Sequence, residues 1–182
     1  TLPTVKADKE GILRPTKRKT EIEVYEAVGD ETPTIYEMGL PVVELTGDDK
    51  YHVNVKQKIP LNMDRDNVNP AYLKNLRVEI LNATHDLLDE EEAASSWVTE
   101  SLGDDRVDQN AVSSVLDQRF GEKRVIADPS NPEATKEAIR EGYTVIPGGT
   151  FGSKQWSNIK ANTSRGGTLP AGRVTGGSFG TF

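Results

Sequence analysis

The feature that most constrains the fold is a change of hydrophobic period in the middle of the chain. From Tyr51 to Ile59 apolar and polar residues largely alternate, as they do in a β-strand with one buried face. After Pro70 the apolar residues instead recur at helical spacing, at Leu73, Leu76, Ile80 and Leu87. Asn69 is a favoured N-cap residue, and Pro70 suits the first helical position because its missing N–H is not needed there. The sequence therefore predicts a strand that leads through a loop into a long helix.

Two further strand regions precede this strand, at residues 21–28 and 35–45. They are separated by runs rich in Gly, Pro, Asp and Thr, at residues 29–33 and 46–49, which are typical of turns. Three strands joined by short turns predict an antiparallel meander. Residues 1–20 show no such pattern, and we expect them to be irregular.

The second half of the chain predicts helices followed by a small parallel sheet. Four acidic residues at 89–92 favour a helix start, and residues 108–120 form an amphipathic pattern that ends at Gly121. Short apolar strands at 124–127 and 143–146 flank a helix that begins at Asn131 and ends at Gly142. A connection of this length implies that the two strands are parallel. The predicted fold class is therefore α/β (α+β), with a meander and long helix first and a parallel β-α-β unit later.

These elements suggest three parts of the chain. Residues 1–20 are expected to link the chain to a missing upstream domain. Residues 21–162 form one α/β domain, with the meander and long helix at 21–88 and the helical and β-α-β part at 89–162. Residues 163–182 are rich in Gly, Ser and Thr, which predicts a flexible tail.

Composition excludes several classes of protein. The chain has no Cys and only two His, which excludes a disulfide scaffold or a Cys-based zinc site and argues against a His-rich metal centre or a catalytic triad. We therefore expect no metal site. No stretch approaches the roughly 18 apolar residues of a membrane span, and we expect a cytoplasmic protein. The net charge of −7 argues against nucleic acid as a partner. The basic run at residues 14–19 could contact nucleic-acid phosphates, but a solvated face explains it more simply.

The loop between the best strand and the long helix contains the strongest candidate site. Arg65 lies there, just before a predicted helix N-terminus, where a guanidinium fork and unsatisfied backbone N–H groups both favour a phosphate. The alternative is that Arg65 pairs with Asp64 or Asp66, and that Asn62 and Asn69 only cap turns. The residues by themselves leave both interpretations open.

A resemblance favours the phosphate. The pattern Pro60-Leu61-Asn62-x-x-Arg65-Asp66, after an alternating strand and before a long helix, resembles the middle domain of the ninety-kilodalton heat-shock chaperones. More broadly, it resembles the transducer domain of GHKL-type ATPases. The region that includes Tyr36-Glu37-Met38-Gly39 and the β-α-β segment also resembles the C-terminal part of ATP-binding proteins of actinobacteria and their phages.

The resemblance implies a set of roles. Arg65 would contact the γ-phosphate of ATP as a catalytic residue and phosphate sensor, Asn69 would support that contact, and Asn62 would brace the loop. ATP with Mg²⁺ would be held mainly by an upstream ATP-binding domain, which would be the first partner, and a homodimer is also implied. Because the family's adenine- and magnesium-binding signatures are missing here, we expect this chain alone not to hydrolyse ATP. The full-length protein would be the ATPase.

Two alternatives follow from other segments. The Gly-rich turn at Gly148–Ser153 lies between a strand and a helix and could serve a small Rossmann-like nucleotide-binding domain, although it matches no phosphate-loop pattern. A structural turn capped by Ser153 also explains it. The β-α-β unit and the helix that carries Trp156 could instead form a non-catalytic module that binds a protein partner.

Overall fold

The structure is a computed structural model that describes residues 1–61, 68–162 and 168–175. Residues 174 and 175 are described by their backbone alone. The chain divides into two compact units, Thr1–Ala83 and Thr84–Phe182. Each unit contains at least one sheet and its own buried apolar residues. The mixed α/β class that the sequence predicts is confirmed.

In its described residues, the first unit contains six strands and the long helix. The strands are β1 (Leu2–Ala7), β2 (Leu13–Arg18), β3 (Ile22–Glu26), β4 (Thr34–Glu37), β5 (Leu40–Glu44) and β6 (Tyr51–Val55), and the helix is α1 (Pro70–Thr84). The alternation that predicts β6 is realised, because Tyr51, Val53 and Val55 are buried while the residues between them are half-buried.

The order of strands in the main sheet is β3-β6-β4-β5 and differs from a meander. β6 inserts between β3 and β4, antiparallel to β3 but parallel to β4. The strand with the most buried side chains thus takes a central position, where both of its edges are paired. β5 contains Pro41, which cannot donate a ladder hydrogen bond, and accordingly lies at an edge. The prediction of a simple antiparallel meander is corrected to a mixed sheet.

The first 20 residues form a β-hairpin, which corrects the prediction that they are irregular. β1 and β2 pair antiparallel from Leu2↔Arg18 to Ala7↔Leu13. Asp8 accepts hydrogen bonds from the N–H groups of Glu10 and Ile12 and so holds the turn between the strands. Every residue of β2 is exposed, so no buried face imposes a hydrophobic alternation on its sequence.

Helix α1 begins at Pro70, as its sequence predicts, and it ends earlier than expected. Leu76 and Ile80 of the predicted stripe are buried, and Leu73 is half-buried. Leu87, in contrast, is 69% exposed, because the α-helix ends at Thr84 and a 3₁₀ turn follows at His85–Leu87. The tighter turn rotates later side chains out of phase with the stripe, so that Leu88 is buried in place of Leu87.

The second unit begins with three helices after this turn: α2 (Glu90–Ala93), α3 (Ser96–Ser101) and α4 (Gln109–Phe120). Asp89 caps α2 by accepting a hydrogen bond from Glu92 N–H at 2.8 Å, and Gly121 ends α4 in the left-handed region at φ 79°. Both ends lie where the sequence predicts them. The side chains of Val112, Val115 and Leu116 are buried, which confirms the predicted face of α4.

The described part of the second unit also contains a small parallel sheet of three strands. β7 (Arg124–Ile126), α5 (Pro132–Arg140) and β8 (Thr144–Ile146) form the predicted parallel β-α-β unit, and α6 (Ser153–Ala161) follows. The third strand, β9 (Leu169–Pro170), pairs parallel with the other edge of β7 and leads into α7 (Ala171–Thr175). The prediction of a flexible tail is therefore wrong for residues 168–175, where Ala171 is buried in a cluster with Val125, Ala134 and Ala138.

Candidate functional site

The loop that carries the candidate phosphate sensor is closed at its base. Leu61 and Val68 form an isolated antiparallel bridge, and Val68 is buried. This bridge brings together the two ends of the segment 62–67, directly before the N-terminus of α1. Asn62 and Arg65 themselves lie outside the described residues.

Asn69 is the one predicted site residue that the structure describes, and it caps α1. Its side-chain oxygen accepts a hydrogen bond from Ala71 N–H at 2.8 Å, and its backbone carbonyl accepts one from Leu73 N–H at 3.0 Å. Asn69 is exposed, and Pro70 follows it at the first helical position. The predicted N-cap is confirmed. Since its Oδ1 is used for the cap, Asn69 offers an anion only its Nδ2 donors.

A negative charge lies close to the base of this loop. Glu37 Oε2 accepts a hydrogen bond from the N–H of Ile59, two residues before Leu61, at 2.8 Å. Burial raises the pKa of the Tyr72 phenol to about 12, and the charge of Glu37 adds to the effect. Tyr72 is therefore neutral, and its buried hydroxyl has no hydrogen-bond partner among the described residues. The charge of Glu37 would disfavour an anion bound next to Ile59.

Polar groups of the Gly-rich turn after β8 form hydrogen bonds with side chains of the helix that follows. Gly148–Thr150 is a 3₁₀ turn, and the Trp156 indole N–H donates to Gly148 O at 2.8 Å. Gln155 Oε1 accepts from Gly152 N–H at 2.6 Å, so Gly152 and not Ser153 is the N-cap of α6. These bonds use groups that a phosphate would otherwise contact. The geometry supports a structural turn, and the nucleotide-binding alternative remains a prediction.

The two tryptophans have different environments, which bears on the alternative of a protein-binding module. Trp97 is 3% exposed and belongs to the core of the second unit. Trp156 is half-buried and packs edge-on against Phe151, with ring centroids 5.2 Å apart. Arg119 stacks over the ring of Phe151 on the same cluster. Trp156 is thus held by its own unit, and its helix presents no isolated aromatic anchor.

Both histidines form hydrogen bonds with neighbouring residues of their own units. His52 Nδ1 accepts a hydrogen bond from Thr34 N–H at 3.1 Å, and its Nε2 lies 3.0 Å from Glu31 Oε2. Both ring nitrogens are therefore occupied, and the tautomer with the proton on Nε2 satisfies both contacts. His85 contacts the hydroxyl of Ser114 at 2.7 Å. Within residues 1–61, 68–162 and 168–175, no group of three or more His, Asp or Glu side chains is arranged to hold a metal ion.

The hairpin brings together cations that sequence reasoning treated separately. The basic run at residues 14–19 lies on and just after β2, and the register places Lys6 of β1 directly opposite Arg14. Lys9 lies in the turn that joins the strands. The signal for this arrangement is Asp8 with Gly11 three residues later, which is typical of a hairpin turn. Gly11 has φ 80°, which glycine adopts readily.

Comparison with known protein families, with curated proteins and with solved structures found no match to the chain. In the described part of the chain, none of the helices has the length and apolar character required to cross a membrane.

Proposed function

We propose that this chain is the C-terminal, transducer-like part of a GHKL-type ATP-binding protein. In this role it senses the γ-phosphate of ATP through Arg65 and relays the closure of a neighbouring domain. The first unit supports the proposal by its architecture: the interior strand β6 is followed along the chain by the Leu61–Val68 bridge and the capped N-terminus of α1.

The observation that carries the proposal is the bridge between Leu61 and Val68. It fixes both ends of a six-residue loop next to a helix N-terminus, where backbone N–H groups and the helix dipole favour negative charge. An arginine at its centre would therefore be well suited to contact a phosphate group presented by another domain.

The roles of the three loop residues follow from their chemistry. Arg65 supplies a planar, permanently charged fork that can bind two phosphate oxygens. Asn69 would add its Nδ2 donors at the helix N-terminus, since its Oδ1 is bound to Ala71 N–H. Asn62 would brace the loop next to the bridge. ATP and Mg²⁺ would be held mainly by an upstream ATP-binding domain, and a homodimer would juxtapose two such domains.

The test is a substitution in the full-length protein that contains the proposed ATP-binding domain. A contact made chiefly in the transition state affects turnover more than affinity. Arg65→Ala should therefore lower kcat for ATP hydrolysis by about 10²-fold, roughly 2.7 kcal/mol, with a smaller change in the Kd for ATP. Arg65→Lys should restore only part of the activity, because an ammonium does not replace the fork.

A matched control uses Arg106, which pairs with Asp104 in a local ion pair at 3.0 Å. Arg106→Ala removes the same charge and should leave turnover unchanged. If Arg65→Ala also leaves turnover unchanged but lowers the melting temperature, Arg65 is a structural residue that pairs with a neighbouring carboxylate, and the proposal is wrong. Titration of the 182-residue chain alone with Mg-ATP should give a Kd no tighter than about 1 mM.

A further inference from the structure

The N-terminal hairpin, β1 and β2 with their turn, concentrates positive charge in an acidic protein. Residues 1–20 contain six of the 22 Lys and Arg residues but only two of the 29 Asp and Glu residues. The hairpin therefore carries a formal charge of +4, whereas the whole chain carries −7. The net charge of the whole chain thus gives no sign of this cationic hairpin. The charge of the hairpin itself determines which ligands its surface attracts.

The base of the hairpin is anchored, and its outer part is exposed. Leu2 is buried, and the hydroxyl of Thr4 donates to Lys58 O at 2.6 Å. Gln57 Nε2 donates to Leu2 O at 3.2 Å. Residues 9–19 are all exposed, as is Lys6, and this includes Lys17 and Arg18 opposite the base. The hairpin is therefore an arm with a fixed root, and its cations are exposed in the turn and along β2.

Three cations of this arm line one open cleft. Lys6, Lys9 and Arg14 border it, together with Asp8 and Thr16. Lys6 and Arg14 are cross-strand partners, so their side chains leave the ribbon on the same side. Like charges in this position destabilise a hairpin by a few tenths of a kcal/mol or more. Asp8 offsets the charge of Arg14, with Nε 2.8 Å from Oδ2. Lys6 and Lys9 form no ion pair with any residue in the described ranges.

Edge protection explains only part of this pattern. Lysine and proline on an exposed strand prevent pairing with other chains, and Lys17 and Pro15 of β2 serve this purpose. Lys9 lies in the turn, where no strand edge needs protection. Its convergence with Lys6 and Arg14 on one cleft instead resembles an arrangement for binding several negative charges that are close together.

We infer that this hairpin arm binds the phosphate backbone of duplex nucleic acid, independently of base sequence. A two-stranded β-ribbon fits the major groove of B-DNA, and neutralisation of phosphates by Lys and Arg releases counterions. The arm from Lys6 to Lys19 contains no Asn or Gln, the side chains best suited to read adenine, so its polar contacts with a duplex would come from Lys, Arg and Thr. This inference does not depend on the proposed ATP sensing.

The experiment is fluorescence anisotropy of a labelled 30-base-pair DNA duplex titrated with the full chain at 50 to 200 mM salt. Each phosphate contact contributes about 0.9 to the slope of log K against log salt, so three contacts predict a slope of about −2.7. Lys6→Gln with Lys9→Gln leaves the Asp8–Arg14 pair intact. It should weaken binding at least tenfold at 50 mM salt and reduce the slope by about 1.8.

The control removes two exposed lysines elsewhere, Lys154→Gln with Lys160→Gln on α6, and should leave both affinity and slope nearly unchanged. Circular dichroism verifies that both double variants are folded. The inference is overturned if the duplex does not bind, or if both double variants bind like the unaltered chain. Equal binding of polyglutamate at matched charge would indicate an acidic polypeptide partner and would also overturn it. Tighter binding of a single strand than of the duplex would exclude docking in the groove.

Discussion

Arg77 and Asp49 form a bidentate ion pair that joins helix α1 to the turn before β6. Arg77 Nε and Nη2 each lie 2.8 Å from an oxygen of the Asp49 carboxylate. The side chain of Asp49 is 6% exposed and that of Arg77 is 19% exposed. Two parallel charge-assisted bonds in a largely desolvated position fix the distance between the helix and the sheet of the first unit.

Breaking this pair should destabilise the first unit. Asp49→Asn leaves the Arg77 guanidinium with a neutral partner in a poorly solvated site, and we expect a loss of about 2 kcal/mol in the free energy of unfolding. Arg77→Lys should cost roughly half as much, because one of the two bonds survives. Urea denaturation followed by circular dichroism measures both. Glu133→Gln, which neutralises an exposed pair with Lys136, should change stability by less than about 0.5 kcal/mol. Equal effects of Asp49→Asn and Glu133→Gln would contradict this account.

The Arg77–Asp49 pair is a contact that the sequence alone did not predict. Asn69, Pro70 and the apolar spacing of α1 are local signals, and they predicted the start of the helix correctly. The partner of Arg77 lies 28 positions away, in a turn whose composition indicates only a turn. Nothing in local composition specifies a contact at that distance.

The order of strands could not be predicted for the same reason. Alternation identified β6, because one face of that strand is buried. It could not show that β6 inserts between β3 and β4, because pairing depends on which edges remain available after β4 and β5 have formed their hairpin. β2 lacked any signal, since all six of its residues are exposed.

The sequence predicted the helix cap next to the candidate phosphate loop but did not predict the cationic cleft of the hairpin. The cap at Asn69 follows from residue type and position and is confirmed by its bond to Ala71 N–H. The cationic cleft was missed, because Lys6 and Lys9 join Arg14 only through the pairing of β1 with β2. The net charge of the whole chain does not reveal this cluster, whereas the net charge of residues 1–20 alone does.

The turn between β4 and β5 contains a strained residue. Met38 has φ 47° and Gly39 has φ 87°, as in the two-residue hairpin loops that favour Asn-Gly. Met38 is 60% exposed, so its side chain contributes little packing. Met38→Asn should therefore raise the free energy of unfolding by about 0.5 to 1 kcal/mol. Leu40→Asn, at the neighbouring exposed position without a positive φ, should not stabilise the protein. Denaturant titration separates the two, and a lower stability of Met38→Asn would show that the methionine packs usefully.

An exposed network on β3 and β6 lowers the pKa of one carboxyl. The Lys56 ammonium, 2.7 Å from Glu23, is the main cause, and Asn54 and Tyr25 also donate to this carboxylate. Together they lower the pKa of Glu23 from 4.5 to about 2. Because the folded-state pKa lies below the unfolded value, this contribution to stability is present above pH 4.5 and is lost as the pH falls towards 2.

The Glu23 network predicts a shift that can be measured directly. Lys56→Met should raise the pKa of the Glu23 carboxyl towards its ordinary value, and the variant should lose less stability than the unaltered chain on acidification. NMR titration of the side-chain carboxyl carbons provides the measurement. Lys74→Met on α1 removes an equal charge and should leave the Glu23 titration unchanged. A pKa that stays near 2 in the Lys56 variant would assign the effect to Asn54 and Tyr25 instead.

Asp128 holds the C-terminal segment against the parallel sheet. The hydroxyl of Ser130, above all, lowers the pKa of this carboxyl, and the N–H groups of Gly172, Ser130 and Asn131 contribute to the same shift. A Cβ on Gly172 would lie only 2.5 Å from Asp128 Oδ2. The carboxylate could move away only by giving up hydrogen bonds that it accepts at the end of β7.

Gly172→Ala should therefore destabilise the second unit by about 1 to 3 kcal/mol, through steric overlap and the loss of hydrogen bonds to Asp128. Its control is Gly149→Ala, at a position where an added Cβ meets no atom within 4 Å and no positive φ is required. That change should be neutral or slightly stabilising, because alanine restricts the unfolded chain. Tryptophan fluorescence during urea denaturation reports on this unit, since Trp97 and Trp156 both belong to it. Equal stability of the two variants would mean that the contact between Asp128 and Gly172 does not hold the segment in place.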